Sequence, residues 1–189
     1  MSKVNLAKWC AGALLVSFIT ASQAATISLS PLSQNVAQGN PFSLQLNMDF
    51  TGDPTLGGGI DIFYDSSLLT FVSFSFNPGL GDDTGQQRQP DVLTNELNGL
   101  AFSSSTGLSG PSLVGTLTFN TISAGTALFT MADNDLPAGG FFSAATFDPQ
   151  TVTYQGASVN ITAVPLPAAL WLMLSGMGLI GAMSKKKRG

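Results

Sequence analysis

The chain of 189 residues has no histidine, one cysteine and two tryptophans. Cys10, Trp9 and Trp171 all lie near its ends. Between residues 25 and 163 there is no lysine, one arginine (Arg88) and one glutamate (Glu96). Each absence removes a chemistry. Without histidine or an internal cysteine there is no Ser-His-Asp or Cys-His machinery and no imidazole-bound zinc. Without lysine there is no Schiff base. No disulfide can form within 25–163, so stability there comes from burial and strand pairing. No glycine-rich phosphate loop or dinucleotide fingerprint occurs. The missing tryptophans deprive this stretch of the flat aromatic platform that suits crystalline polysaccharide; Tyr64, Tyr154 and many phenylalanines remain.

Charge is just as one-sided. All 11 acidic residues of the chain fall within 25–163, where only Arg88 opposes them, for a formal charge of −10; the whole chain carries −4. Nothing there neutralises phosphate, which excludes nucleic acid as a partner. Six of the seven basic residues sit at the two ends.

Those ends read as targeting segments. Lys3 and Lys8 precede an apolar run from Trp9 to Ile19, and Ser22-Gln23-Ala24 places small residues where a signal peptidase reads. Residues 1–24 are thus expected to be a secretory signal peptide, cut between Ala24 and Ala25. At the other end the run from Val164 to Met183 is uncharged. At about 1.5 Å per residue it would span about 30 Å as a helix, the thickness of a bilayer's hydrocarbon core. Lys185, Lys186, Lys187 and Arg188 follow directly and are expected to stay in the cytoplasm.

The sequence Val164-Pro165-Leu166-Pro167-Ala168, the Ala169-Leu170-Trp171-Leu172 that follows, the glycines at 176, 178 and 181 and the basic tail come in a fixed order. That layout closely resembles the PEP-CTERM family of bacterial sorting signals in its VPLPA variant, with Leu166 where the parent pattern has glutamate. The resemblance implies an exosortase, a membrane-embedded cysteine transpeptidase, as processing partner. It further implies a membrane-anchored intermediate in a Gram-negative bacterium, cleavage near the prolines and transfer to the cell surface. The chain divides accordingly into 1–24, a domain at 25–163 and the sorting segment 164–189.

The middle domain is patterned as strands. Phe42 to Phe50 alternates strictly, with Phe42, Leu44, Leu46, Met48 and Phe50 on one face and Ser43, Gln45, Asn47 and Asp49 on the other. Such alternation predicts a sheet with one face on a core and one in water. Shorter strands are expected from Thr26, over Gly58 to Tyr64, Leu68 to Phe76, Leu113 to Thr121 and Ala127 to Met131, and a last one over Thr151 to Ile161. Val92 to Ser105 reads as a hairpin turning at Asn98-Gly99. Asn77 to Pro90 and Asp133 to Pro149 read as loops. No amphipathic helix is visible, so the expected fold is an antiparallel β-sandwich of about nine strands.

Gly59-Ile-Asp-Ile-Phe-Tyr-Asp-Ser-Ser-Leu-Leu-Thr-Phe-Val72 and Leu113-Val-Gly-Thr-Leu-Thr-Phe119, followed by Ala124-Gly125-Thr126, resemble the strand pairs of cohesin domains. The resemblance implies a jelly-roll sandwich that binds a dockerin-type protein through one sheet face.

Carboxylates are the remaining reactive groups. Asp82, Asp83, Asp133 and Asp135 offer hard oxygen ligands, so calcium is the cofactor this composition admits. Asp82 with Asp83, Asp133 with Asp135, and Asp61 with Asp65 can be paired on paper, or joined by Glu96, as an acid-pair glycoside hydrolase would require. Solvated turn residues are the simpler reading of all of them. Asp61 and Asp65, four apart, are expected to face water together. Phe141-Phe142, set in a glycine-flanked loop, is either an exposed contact or a lid on the core. The function expected is a non-catalytic surface protein binding a protein or polysaccharide. The alternative is a structural protein of the biofilm matrix without a discrete ligand, and hydrolysis is the remote one.

Overall fold

A computed structural model describes residues 25–134 and 139–164, with Met173 besides. The described residues form thirteen strands. The first seven are β1 (Ala25–Ser30), β2 (Ser33–Ala37), β3 (Pro41–Asp49), β4 (Thr55–Phe63), β5 (Leu69–Phe76), β6 (Asp91–Leu93) and β7 (Glu96–Leu108). The rest are β8 (Ser112–Thr121), β9 (Gly125–Asp133), β10 (Phe141–Ser143), β11 (Pro149–Gln150), β12 (Val152–Gln155) and β13 (Ala157–Thr162). They make two sheets, one in the order β12-β1-β3-β8-β5. The second runs β11-β10-β4-β9-β13-β2, with β7 and then β6 added beside β4.

Alternation does the layering. In β3 every second residue, from Phe42 to Met48, is buried while the residues between are exposed or half-buried. Ile60 and Ile62 of β4 and Phe129 of β9 face them from the second sheet, all at 2% exposure or less. Each such side chain contributes about 1.5–3 kcal/mol by leaving water. Phe119 of β8 sits where the layers meet, its ring 5.7 Å from Phe42, 5.5 Å from Phe71, 5.2 Å from Tyr64 and 5.1 Å from Phe129.

The pairing is not purely antiparallel. β1 runs parallel to β12, and β2 runs parallel to β13. Both terminal segments are split strands that begin in one sheet and finish in the other. Pro31, which has no N–H to give a ladder, separates β1 from β2. Gly156 separates β12 from β13, and a Cβ there would lie 1.9 Å from the Phe129 carbonyl oxygen. The single strand expected over 151–161 is therefore two. The sheets are closed against each other at that edge, where the Tyr154 hydroxyl of β12 donates to the Asp133 carboxylate of β9.

The turn expected at Asn98-Gly99 lies four residues earlier. Asn95 takes the left-handed conformation (φ 63°) between β6 and β7, while Gly99 (φ 71°) sits inside β7 opposite a register shift in β4. Asn-Gly suits a bulge as well as a turn, because both need a positive φ.

Candidate docking site

The site is built on the outer face of the second sheet. β4 points Ile60 and Ile62 inward, as does Tyr64 just after it, so Asp61 and Phe63 lie on the other side of the sheet, Phe63 exposed and Asp61 covered. Register carries Leu93 of β6 beside Glu96 of β7, then Phe63, then Thr130 of β9. Leu128 lies two residues before Thr130 on the same face of β9. The Leu128 side chain is 63% exposed, Leu93 50% and Phe63 38%. Phe63, Leu128, Asp65, Asn95, Thr126 and Thr130 enclose a shallow depression of about 560 Å³.

Its rim is held rigid. The Asp65 carboxylate accepts from the Ser67 N–H at 2.8 Å and the Ser67 hydroxyl at 2.6 Å. Those bonds hold the exposed Asp65 carboxyl below the ordinary aspartate range. Asn95 ties two loops together: its side chain accepts from the Ser66 N–H at 2.8 Å, and its carbonyl accepts from the Tyr64 N–H at 2.9 Å. An apolar centre within a pre-formed polar rim is the composition of a protein-docking patch.

Farther along the same face the carboxylate of Asp61 is only 5% exposed. It accepts from the Gly99 N–H at 2.7 Å and from the Asn134 amide at 2.6 Å. The Arg88 guanidinium packs over Gly99 and pairs with Asp91 at 2.6 Å. Asp61 thus does not face water beside Asp65, as the spacing suggested. The neighbouring strands and the bulge at Gly99 close over it, and it pins that bulge.

The other candidate acids among the described residues are likewise occupied by protein donors, Glu96 by the Asn98 amide at 2.9 Å. Asp82 accepts from the Gln86 N–H at 3.0 Å. Asp83 accepts from the Ser105 hydroxyl at 2.5 Å and the Ser105 N–H, which lowers its carboxyl below the usual range and anchors the 77–90 loop to β7. That loop also contains a short 3-10 turn at Pro78–Leu80. Burial and the Asp133 bond push the Tyr154 hydroxyl far above the ordinary phenol range. Asp135 lies outside the described residues. Among the described residues no three His, Cys, Asp or Glu side chains stand together as a metal site.

Phe141 is fully buried, 5.3 Å from Phe50 and 5.7 Å from Phe102, so it is core. Phe142 is half-buried beside Gly57 of β4. Ala25 opens β1 and Val164 is exposed after β13. Ala24, Pro165, Leu166, Pro167, Ala168 and the basic residues from Lys185 to Arg188 lie outside the described residues, as does most of the uncharged run. No helix among the described residues is long and apolar enough to cross a membrane. Phe63, Leu93 and Leu128 escaped the sequence reading, although phase marks Phe63: in Ile60-Asp-Ile-Phe it stands out of step with the isoleucines.

No family model and no curated protein matches the chain. Solved structures do. The sixth cohesin of scaffoldin B from Acetivibrio cellulolyticus, determined in complex with a dockerin, superposes with a TM-score of 0.59 at 15% identity over 74% of this chain and 100% of its own. A cohesin from Clostridium acetobutylicum gives 0.59 at 17% identity, over 75% and 92%. The seventh type I cohesin of a Pseudobacteroides cellulosolvens scaffoldin gives 0.60 at 11%, over 76% and 96%. At such identities the likeness establishes architecture, and the chain folds as a cohesin-like, all-β sandwich.

Proposed function

We propose that this protein is a non-catalytic surface protein, exported and sorted by its terminal segments, whose sandwich docks a protein partner on the outer face of β6, β7, β4 and β9. The observation that carries the reading is the exposed pair Phe63 and Leu128 at one depression, with Leu93 beyond Glu96 on the same face, rimmed by groups already fixed in place. The exposed part of each side chain adds nothing to folding, and its burial against a partner drives association. Two lines support it: structures of the same architecture were solved with dockerins bound, and the domain has no histidine, cysteine or lysine for Ser-His-Asp, Cys-His or Schiff-base catalysis.

The full chain, kept in solution with mild detergent, is expected to capture one partner saturably from the secreted fraction of its source bacterium. Leu128→Asp should weaken that capture about thirtyfold, the effect of losing one central anchor of about 2 kcal/mol. The fold should survive, because Leu128 faces outward. Equal capture by L128D would end the assignment to this face.

The sorting half rests on Val164 to Ala168 and the segments around them. Mass spectrometry of the cell-surface form is expected to show a chain starting at Ala25 and ending near the prolines. Replacing Pro165 and Pro167 with alanine should leave the longer form in the membrane. A surface form that retains Lys185 to Arg188 would refute it.

A further inference from the structure

The outer face of the first sheet differs in kind from the docking site. Reading across β1, β3, β8 and β5, register sets Ser30, Gln45, Thr116 and Ser75 side by side. The next row is Ser43, Thr118 and Ser73. On the other side of the first row lie Gln155 of β12, Ser28 and Asn47. Every one of these residues carries a hydroxyl or a carboxamide, and none is charged. Asp49, at the end of β3, is turned away to Thr51, whose N–H and hydroxyl it accepts at 3.0 Å and 2.5 Å.

These groups are largely unused. Ser43 and Thr118 share one bond at 3.3 Å. Among the described residues Gln45, Ser73, Ser75 and Thr116 make no side-chain hydrogen bond to protein. Strands stand about 4.8 Å apart and rows about 6.7 Å apart, so the face is about 14 Å across four strands, with register shifts at Leu46/Asn47 and Phe71/Ser73. Each hydroxyl or carboxamide can both donate and accept.

Chemistry selects the ligand. A protein partner needs apolar anchors, and the exposed apolar side chain of this sheet, Val72, sits on a bulge in the edge strand β5. An anionic polymer would be repelled by a domain of charge −10. A neutral polysaccharide presents what the grid can meet: uncharged hydroxyls at close intervals along an extended chain. We infer that the uncharged hydroxyl and amide face of β12-β1-β3-β8-β5 is a binding surface for a neutral polysaccharide, separate from the protein-docking face on the other sheet. Neutral hydrogen bonds exchanged with water add little each. Affinity per domain is therefore low, and retention relies on many copies displayed on one surface.

Affinity electrophoresis of the full chain in mild detergent tests this, with three neutral probes (mixed-linkage β-glucan, galactomannan, dextran) and one anionic probe (alginate). Mobility should fall in at least one neutral gel and stay unchanged in alginate. The triple variant Gln45→Ala, Ser73→Ala, Thr116→Ala should bind about tenfold more weakly, the loss expected of three neutral hydrogen bonds at the low end of their value. Its urea midpoint should stay close to that of the parent, since Gln45 and Ser73 are exposed and Thr116 is only half-buried. L128D should be retarded like the parent, which separates this surface from the docking site. Retardation by none of the neutral probes, equal retardation in alginate, or undiminished retardation of a folded triple variant would each overturn the inference.

Discussion

Phe119→Ala is expected to cost about 3–5 kcal/mol of folding stability, the range for deleting a large buried aromatic. Against a typical total of 5–15 kcal/mol, that takes the domain to the edge of unfolding. Phe119 is fully buried and touches four aromatic rings, those of Phe42 and Phe71 in its own sheet and of Tyr64 and Phe129 from the opposite one. Edge-to-face and stacked pairs of this kind add to the area term. The cavity cannot close easily, because Phe42 and Phe71 are held in the ladders of β8 itself, Phe129 is paired to Ala157, and the Tyr64 N–H is held by the Asn95 carbonyl. The urea midpoint should fall by about 2 M at the usual slope for a small domain. Phe119→Leu should lose clearly less. A loss under about 1 kcal/mol for F119A would mean that the sandwich repacks, which ridges this interlocked do not allow. The variant also bears on function. Phe63 and Leu128 lie outside, each one residue along the chain from a side chain, Tyr64 or Phe129, that touches Phe119. Loosening the core there removes the backing of the docking face.

Gly57→Ala should be nearly as damaging, although it adds one methyl group. Gly57 has φ 117°, and a Cβ there would lie 2.1 Å from the Phe102 carbonyl oxygen and 2.4 Å from the Ser103 Cα, both backbone atoms of β7. The backbone strain costs about 1–3 kcal/mol and the intrusion a similar amount, so a total of about 3–5 kcal/mol is expected. The Gly57 N–H is also held by the Thr55 hydroxyl at 3.1 Å, and that hydroxyl donates to the Phe142 carbonyl of β10 at 3.0 Å, so the strand cannot slide away freely. Gly39→Ala provides the comparison. Gly39 also has a positive φ (86°), but its Cβ would meet nothing within 4 Å. It should lose only about 1–2 kcal/mol, the cost of the left-handed conformation alone. Parallel urea unfolding of the two variants measures the clash by difference. Equal losses would show that β7 yields to the methyl group.

Much of this was legible beforehand, and the reasons are local. Alternation in Phe42 to Met48 depends only on the period of a strand, so the buried set follows from the residues themselves. The absence of histidine, internal cysteine and lysine excluded whole chemistries before any coordinate was known. Composition likewise placed the negative charge in one stretch and the basic residues at the ends.

What stayed hidden depends on partners distant in sequence. The period of a strand says which residues share a face, but not which sheet that strand joins. Val152 to Gln155 and Ala157 to Thr162 look like one strand, and only the approach of Gly156 to the Phe129 carbonyl divides them between layers. Asn98-Gly99 satisfies a turn and a bulge equally, and Asp61, reaching from β4 to the Gly99 N–H, shows which was formed. Phe141 sits among glycines and reads as loop, yet Phe50 and Phe102 enclose it. The chain by itself determined the strand character, the chemistry excluded and the residues with an inward side. The tertiary structure alone decided which outward residues became neighbours, because sheet order and register arise from long-range pairing. Those pairings set Phe63 beside Leu128 on one sheet and a grid of uncharged hydroxyls and amides on the other.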